Sequence, residues 1–279
     1  EVCEALNPKL IYGRLTGWGQ TGPLAQSAGH DPNFVALTGA MHAGARPNQK
    51  PTVPLTLVGD VGGGTMMLLW GVMCALWQAQ SSGKGQVIDA AITDGSVYAS
   101  SLLWMIHNSS HSADQVGTSW TDGAAPWNDS YVCSDGHYIN ICALEPKFYQ
   151  LLLERLGLTQ KGCFEHQWQE QSWPQARVAL SQKFASQTRH YWCGQLEGTD
   201  VCFAPVLNFT EATQHPHHRA RKNFIKLDGV TQPAPAPKMD HNQGLINSVP
   251  RAGQDTADVL AQLGISPERI AQLRQDKVV

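Results

Sequence analysis

A run of apolar residues from Thr65 to Ala79, opened by Gly62, Gly63 and Gly64, constrains this chain more than any other feature. Fifteen such residues fall short of the roughly 20 that a bilayer-spanning helix needs. The stretch therefore reads as a helix buried in a protein core, with Trp70 and Trp77 seven positions apart. Such a helix needs a layer to cover. Strand candidates lie on both sides of it: the apolar run 9–16, the short run Leu55-Thr56-Leu57-Val58 ahead of the glycines, and 86–92 after Gly83 and Gly85. Helices are expected at 32–37 and from Asp94 to about His107, with Asp94 as the cap. Strand–helix alternation makes residues 1–107 an α/β unit.

The composition then changes. Residues 108–127 are rich in Ser, Gly, Asp and His and read as a linker. A hairpin is expected over 129–143, turning at Ser134-Asp135-Gly136. Helices follow at 146–156, 174–185 and 188–196, and a last strand at 201–208. Residues 128–212 thus form a small α+β domain. Residues 213–240 read as a second linker that ends in the polyproline-like run 231–237. The segment 241–279 carries two short helices, 256–263 and one capped by Ser266 with Pro267 at its first position.

The 20 Lys and Arg against 23 Asp and Glu give a net charge of −3. That argues against nucleic acid as a partner, which would want a basic surface. Charged residues are 15% against 42% apolar, which suggests that apolar surface faces a second subunit. The seven cysteines form no C-x-x-C pair. They imply a reducing, cytoplasmic location rather than a disulfide framework, and no metal site. His215, His217 and His218 surround Pro216 and read as solvated linker. No signal peptide is visible and no membrane association is expected. The opening Glu1-Val2-Cys3-Glu4 looks like mid-helix, which suggests a truncated or processed start.

Three segments carry residues with chemical potential. Gly17-Trp18-Gly19-Gln20-Thr21-Gly22 matches a dinucleotide fingerprint by letter, but no acidic residue ends a second strand at the expected distance, so it reads as a tight turn after a strand. Gly29-His30-Asp31 follows it. Val58-Gly59-Asp60-Val61-Gly62 stands where a strand is expected to meet the apolar helix, so amides beside Asp60 would be donors for a developing oxyanion. Glu145 opens a helix in the small domain. Taken singly, Asp60 and Glu145 are ordinary helix-start carboxylates and His30 an ordinary turn histidine.

Together these runs resemble the α-methylacyl-CoA racemase branch of the family III CoA-transferases, the CaiB/BaiF type. Residues 15–23, 28–31, 59–64, 80–91, 144–149 and 260–266 carry the likeness, in the family's order. The resemblance implies a partial Rossmann-like large domain, a small α+β domain, a C-terminal return to the large domain and an interlocked homodimer. It implies His30 and Asp60 as the acid–base pair, with Glu145 reaching the partner's His30. Gly29, Gly59, Val61 and Gly62 would line the substrate site. The substrate would be an acyl-CoA thioester, inverted at its α carbon by two-base proton transfer through an enolate. No cofactor is expected, CoA being part of the substrate. Two alternatives stand beside this: a CoA-transferase with Asp60 as nucleophile, and a truncated chain that serves only as a dimerising or binding module. The family's first Rossmann-type half, with its basic residues for the CoA phosphates, has no counterpart here, so the chain alone is expected to be a poor catalyst. Thr56 stands where the racemases are expected to carry asparagine.

Overall fold

The computed structural model describes residues 2–109, 114–240 and 248–279. They group into two compact units, Glu1–Val206 and Leu207–Val279. In the first, α1 (Val2–Leu6) leads to β1 (Ile11–Thr16). Between β1 and its partner lie α2 (Asp31–Ala36), α3 (Ala40–Ala43), a π-helical segment (Leu57–Thr65) and α4 (Met66–Ser82). β2 (Gln86–Ala91) then pairs with β1 in parallel, from Ile11 opposite Gln86 to Thr16 opposite Ala91. A parallel pair needs such a crossover.

Two expectations fail here. Leu55–Val58 is not a strand: Leu57 and Val58 already belong to the π-helical segment. The glycines explain it. A Cβ on Gly63 would stand 2.7 Å from the Ile92 carbonyl oxygen, so this backbone presses directly on the next helix, which a strand with side chains on both faces does not do. The apolar helix is also neither short nor buried. Leu57–Ser82 is continuous over 26 residues and, by length and composition, long enough to cross a membrane. Only Ala75 and Ala79 of α4 are buried, while Trp70, Met73 and Trp77 are exposed. The two-stranded sheet is a narrow platform, with Leu68 over Gly13 and Gly71 against Ile88.

After β2 the chain forms α5 (Ile92–Ala99) and α6 (Ser101–His107). Asp94 lies in the first turn of α5 and does not cap it; the cap position is Ala91. The one long helix expected here divides at Ser100, whose Oγ donates to the Ser96 carbonyl at 2.7 Å.

β3 (Asn128–Val132), β4 (Tyr138–Cys142) and β5 (Phe203–Pro205) form an antiparallel sheet in the order β3-β4-β5, so the expected hairpin is present. α7 (Pro146–Leu156), α8 (Trp173–Ala185) and α9 (Arg189–Leu196) join it around Trp127, Ile139, Ile141, Leu152, Leu180, Phe184 and Leu196. The segment read as a linker, of which residues 110–113 lie outside the described ones, feeds this core. Asp122 Oδ2 accepts the N–H groups of Gly117, Thr118 and Ser119 at 2.7, 3.1 and 3.2 Å. Trp127 has no exposed surface, stacks with Trp120 and meets Trp168 edge-on. Arg46 pairs with Asp129 at 3.0 Å, and Arg177 pairs with the same carboxylate. Between Gln115 and Ala124 the polar side chains that suggested a linker cap turns.

In the second unit, α10 (Phe209–Gln214) and α11 (Pro216–Ala220) precede an antiparallel hairpin of β6 (Phe224–Leu227) and β7 (Val230–Pro233). The stretch read as linker is thus regular structure as far as Pro233. Pro216 starts a helix rather than breaking one. α12 (Thr256–Gln262) and α13 (Pro267–Gln275) follow, with Ser266 Oγ accepting the Arg269 N–H at 3.3 Å, as its cap position predicts. Residues 241–247 of the expected C-terminal segment lie outside the described residues.

Candidate active site

β1 ends in a turn in which two amides are already bonded within the protein. Gly19 N–H donates to Thr16 Oγ1 at 3.1 Å and Gln20 N–H to Asp89 Oδ2 at 3.0 Å. These amides are not open to a phosphate. Trp18 meets Phe34 edge-on at 4.7 Å, which holds the loop to α2. Gly29 lies in the same contact, against Phe34 and Trp18.

His30 is the cap residue of α2, extended at φ −131° and exposed, and its N–H donates to Asn33 Oδ1 at 3.0 Å. Its neighbour Asp31 turns inward and is only 4% exposed. Asp31 Oδ1 accepts the backbone N–H of Asp60 at 2.8 Å. Gly59 lies flat on this carboxylate; a Cβ there would overlap Asp31 and crowd Val35. One hydrogen bond thus joins two segments that stand thirty positions apart. The join lies by the carboxyl end of the parallel pair, where α5 starts and Thr93 N–H donates to the Gly17 carbonyl at 3.1 Å. Open α/β sheets bind ligands at that end.

Asp60 is partly buried in the first turn of the π-helical segment, and Thr65 Oγ1 donates to its carbonyl at 3.0 Å. The positive end of the 26-residue helix favours negative charge at this point. Short π-helical turns occur often at functional sites. The amides beside Asp60 do not serve as expected, however. That of Asp60 is held by Asp31, and that of Val61 donates to the Thr56 carbonyl at 2.8 Å. Neither amide is therefore free to serve a developing oxyanion. Val61 keeps an exposed side chain, and Gly62 is half-buried.

Thr56, directly before this turn, is held at φ +62°, ψ −23°. A β-branched residue is costly in that region, by about 1–2 kcal/mol, whereas asparagine tolerates it. Thr56→Asn is therefore expected to stabilise the fold by about 1 kcal/mol in urea unfolding. A lower unfolding midpoint would mean that the threonine is favoured by something other than its backbone.

Glu145 caps α7 and is exposed. The Cys142 N–H donates to the Cys202 carbonyl at 2.9 Å beside it. Burial pushes both thiols up; Glu145 adds to each shift, after Cys142 itself in the case of Cys202. Among the described residues no hydrogen bond or ion pair joins Glu145 to His30 or Asp60. Through Asp31 the structure joins the segment that carries His30 to the one that carries Gly59 and Asp60; no described contact brings Glu145 to either within one chain. Asp31 is the residue that sequence reasoning missed. Its signal was faint: an acid directly after a histidine, at the start of a short helix, reads as solvated. A cavity of about 390 Å³ opens past the carboxyl end of α2, lined by Leu37, Ala40, Leu103, Trp104 and Ile106 together with His42 and His107. No group of three or more metal-binding side chains occurs among the described residues.

This architecture is that of a known family. The profile of CoA-transferase family III matches residues 1–256, and the chain belongs to that family. It is similar to the alpha-methylacyl-CoA racemases of Mus musculus, 39% identical over 98% of this chain and 72% of that protein, and of Homo sapiens, 36% identical over 100% and 74%. Its fold matches a crystal structure of a CaiB/BaiF family protein from Brucella suis with a TM-score of 0.75 at 24% identity, over 93% of this chain and 69% of that one.

Proposed function

We propose that this protein inverts the α carbon of α-methyl-branched acyl-CoA thioesters, with His30 and Asp60 as the two proton-transfer groups. The Asp31–Asp60 hydrogen bond carries this reading, because it holds the two segments on one seam. The α-proton of a thioester is a very weak acid. Inversion requires removing it from one face and supplying another from the opposite face, which two groups flanking the carbon achieve without a turn of the substrate. In one direction His30 takes the proton and Asp60 returns one; in the other the roles exchange. The helix end at Asp60 favours the negative charge that develops on the enolate. The cavity past α2 lies about 9 Å along that helix from His30, at 1.5 Å per residue, and Leu37, Leu103, Trp104 and Ile106 give it one apolar wall that suits an acyl chain. The substrate thioester brings its own CoA, so the reading asks for no further cofactor.

The second reading, CoA transfer, uses the same Asp60 as a nucleophile that forms an acyl anhydride. Hydroxylamine separates the two. Under the racemase reading, incubation with acyl-CoA and hydroxylamine leaves Asp60 unmodified in peptide mass spectra. An Asp60 hydroxamate would favour the transferase. The histidine at position 30, between Gly29 and Asp31, inclines the choice to the racemase, as do the racemase relatives.

The site is proposed to be completed in a homodimer, with Glu145 orienting the partner's His30. Interlocked chains would bury more than roughly 2,000 Å². Mixing inactive His30→Ala and Glu145→Ala subunits is then expected to restore activity, since the mixed dimer keeps one intact site. No recovery from a mixture shown to exchange subunits would contradict the shared site.

A further inference from the structure

We infer that Asp31 is a positioning residue for the reaction, the strut that sets the distance between His30 and Asp60. The residue-role part rests on the racemase reading; the strut itself does not. Asp31 is only 4% exposed, yet its second oxygen, Oδ2, has no hydrogen-bond partner among the described residues. A buried carboxylate oxygen without a partner costs free energy, and a chain free to vary would relieve it with an apolar side chain. What the carboxylate gains is Oδ1, which accepts an amide at the open end of a long helix at 2.8 Å. Helix starts leave such N–H groups without intrahelical partners. Here the cap comes from a distant segment, not from the preceding residues, because Thr56 at the cap position makes no side-chain cap.

The path is short and stiff. Asp31 is bonded to His30 through one peptide, and Pro32 fixes the next backbone angle at the start of α2. From the carboxylate one hydrogen bond reaches the Asp60 backbone. Gly59 closes the other side, since any Cβ there would strike Asp31. The backbone that carries His30 cannot shift relative to Asp60 without breaking this bond or opening the Gly59 contact. For two groups that must flank one carbon, a displacement of about 1 Å can cost on the order of 100-fold in rate.

The test compares Asp31→Ala, which removes the acceptor, with Asp31→Asn, which keeps one oxygen at the same place. The first readout is hydrogen exchange of the Asp60 amide in the intact protein. It is expected to be protected in wild type and Asp31→Asn and at least about 10-fold faster in Asp31→Ala. An Asp60 amide that exchanges equally fast in all three overturns the strut, whatever the protein catalyses. The second readout is made in heavy water from each epimer of 2-methylacyl-CoA. Asp31→Ala is expected to lose on the order of 100-fold in inversion, while exchange persists from the epimer whose α-proton faces His30. Asp31→Asn should stay within about 10-fold of wild type. Loss of stability alone lowers exchange from both epimers together; that pattern, or unchanged inversion in Asp31→Ala, overturns the positioning role. Should Asp31→Ala fail to fold, Asp31→Ser, whose hydroxyl stops short of the amide, carries the same expectations. A wild-type protein that inverts neither epimer contradicts the racemase reading, and the amide measurement still decides the strut.

Discussion

Replacing His30 by alanine or Asp60 by asparagine is expected to lower the rate of inversion by about 10³-fold or more, with little change in KM. Each group acts on the proton in the transition state rather than on ground-state binding, so the loss falls on kcat. Because both act in one sequence, the double variant should be scarcely worse than the poorer single one. The singles should also differ in kind. His30→Ala retains exchange only from the epimer whose proton faces Asp60, and Asp60→Asn only from the other. Steady-state rates with chiral analysis and α-deuterium content measure all of this. Unchanged turnover in Asp60→Asn would remove that residue from the mechanism.

The second large effect is on stability. Trp127→Ala is expected to cost about 3–5 kcal/mol in urea unfolding, the range for truncating a buried aromatic. Trp127 has no exposed surface, its Nε1–H donates to the Gln167 carbonyl at 3.1 Å, and it touches Trp120, Trp168 and Trp173. A linker tryptophan would cost well under 1 kcal/mol on replacement. A result of that size would restore the linker reading of 108–127 and undo the packing described for this part of the fold.

The contrast between these two sites shows what can be read from a linear chain. Elements bounded by their own neighbours were legible. Glu145-Pro146 opens α7 and Gly157 closes it at φ +65°. Ser266-Pro267 opens α13, and Ile11–Thr16 and Gln86–Ala91 are strands within a residue or two of their apolar runs. His30 and Asp60 were singled out by the glycine settings and family likeness, both local patterns. What failed depends on partners far along the chain. Leu57–Thr65 looked like a strand and a helix start because periodicity does not register that Gly63 meets Ile92 across nearly thirty residues. Trp127 sat among polar residues whose caps, such as Asp122, fold that polar stretch against a core built later in the sequence. The exposure of Trp70 and Trp77 on α4 could not be read from hydropathy, which reports a preference for burial but not what is there to bury against. Asp31 is the sharpest case: nothing in its neighbours announces the Asp60 amide.

Heavy water offers the most direct measurement of the central claim, that His30 and Asp60 form a two-base site for an α carbon. The intact protein is incubated in it with a single epimer of a 2-methylacyl-CoA, and product configuration and deuterium are read together. The account predicts inversion to the other epimer, with one deuterium at the α carbon of each inverted molecule and CoA still attached. Retained configuration without deuterium, together with transfer of CoA to an added carboxylate, would contradict it.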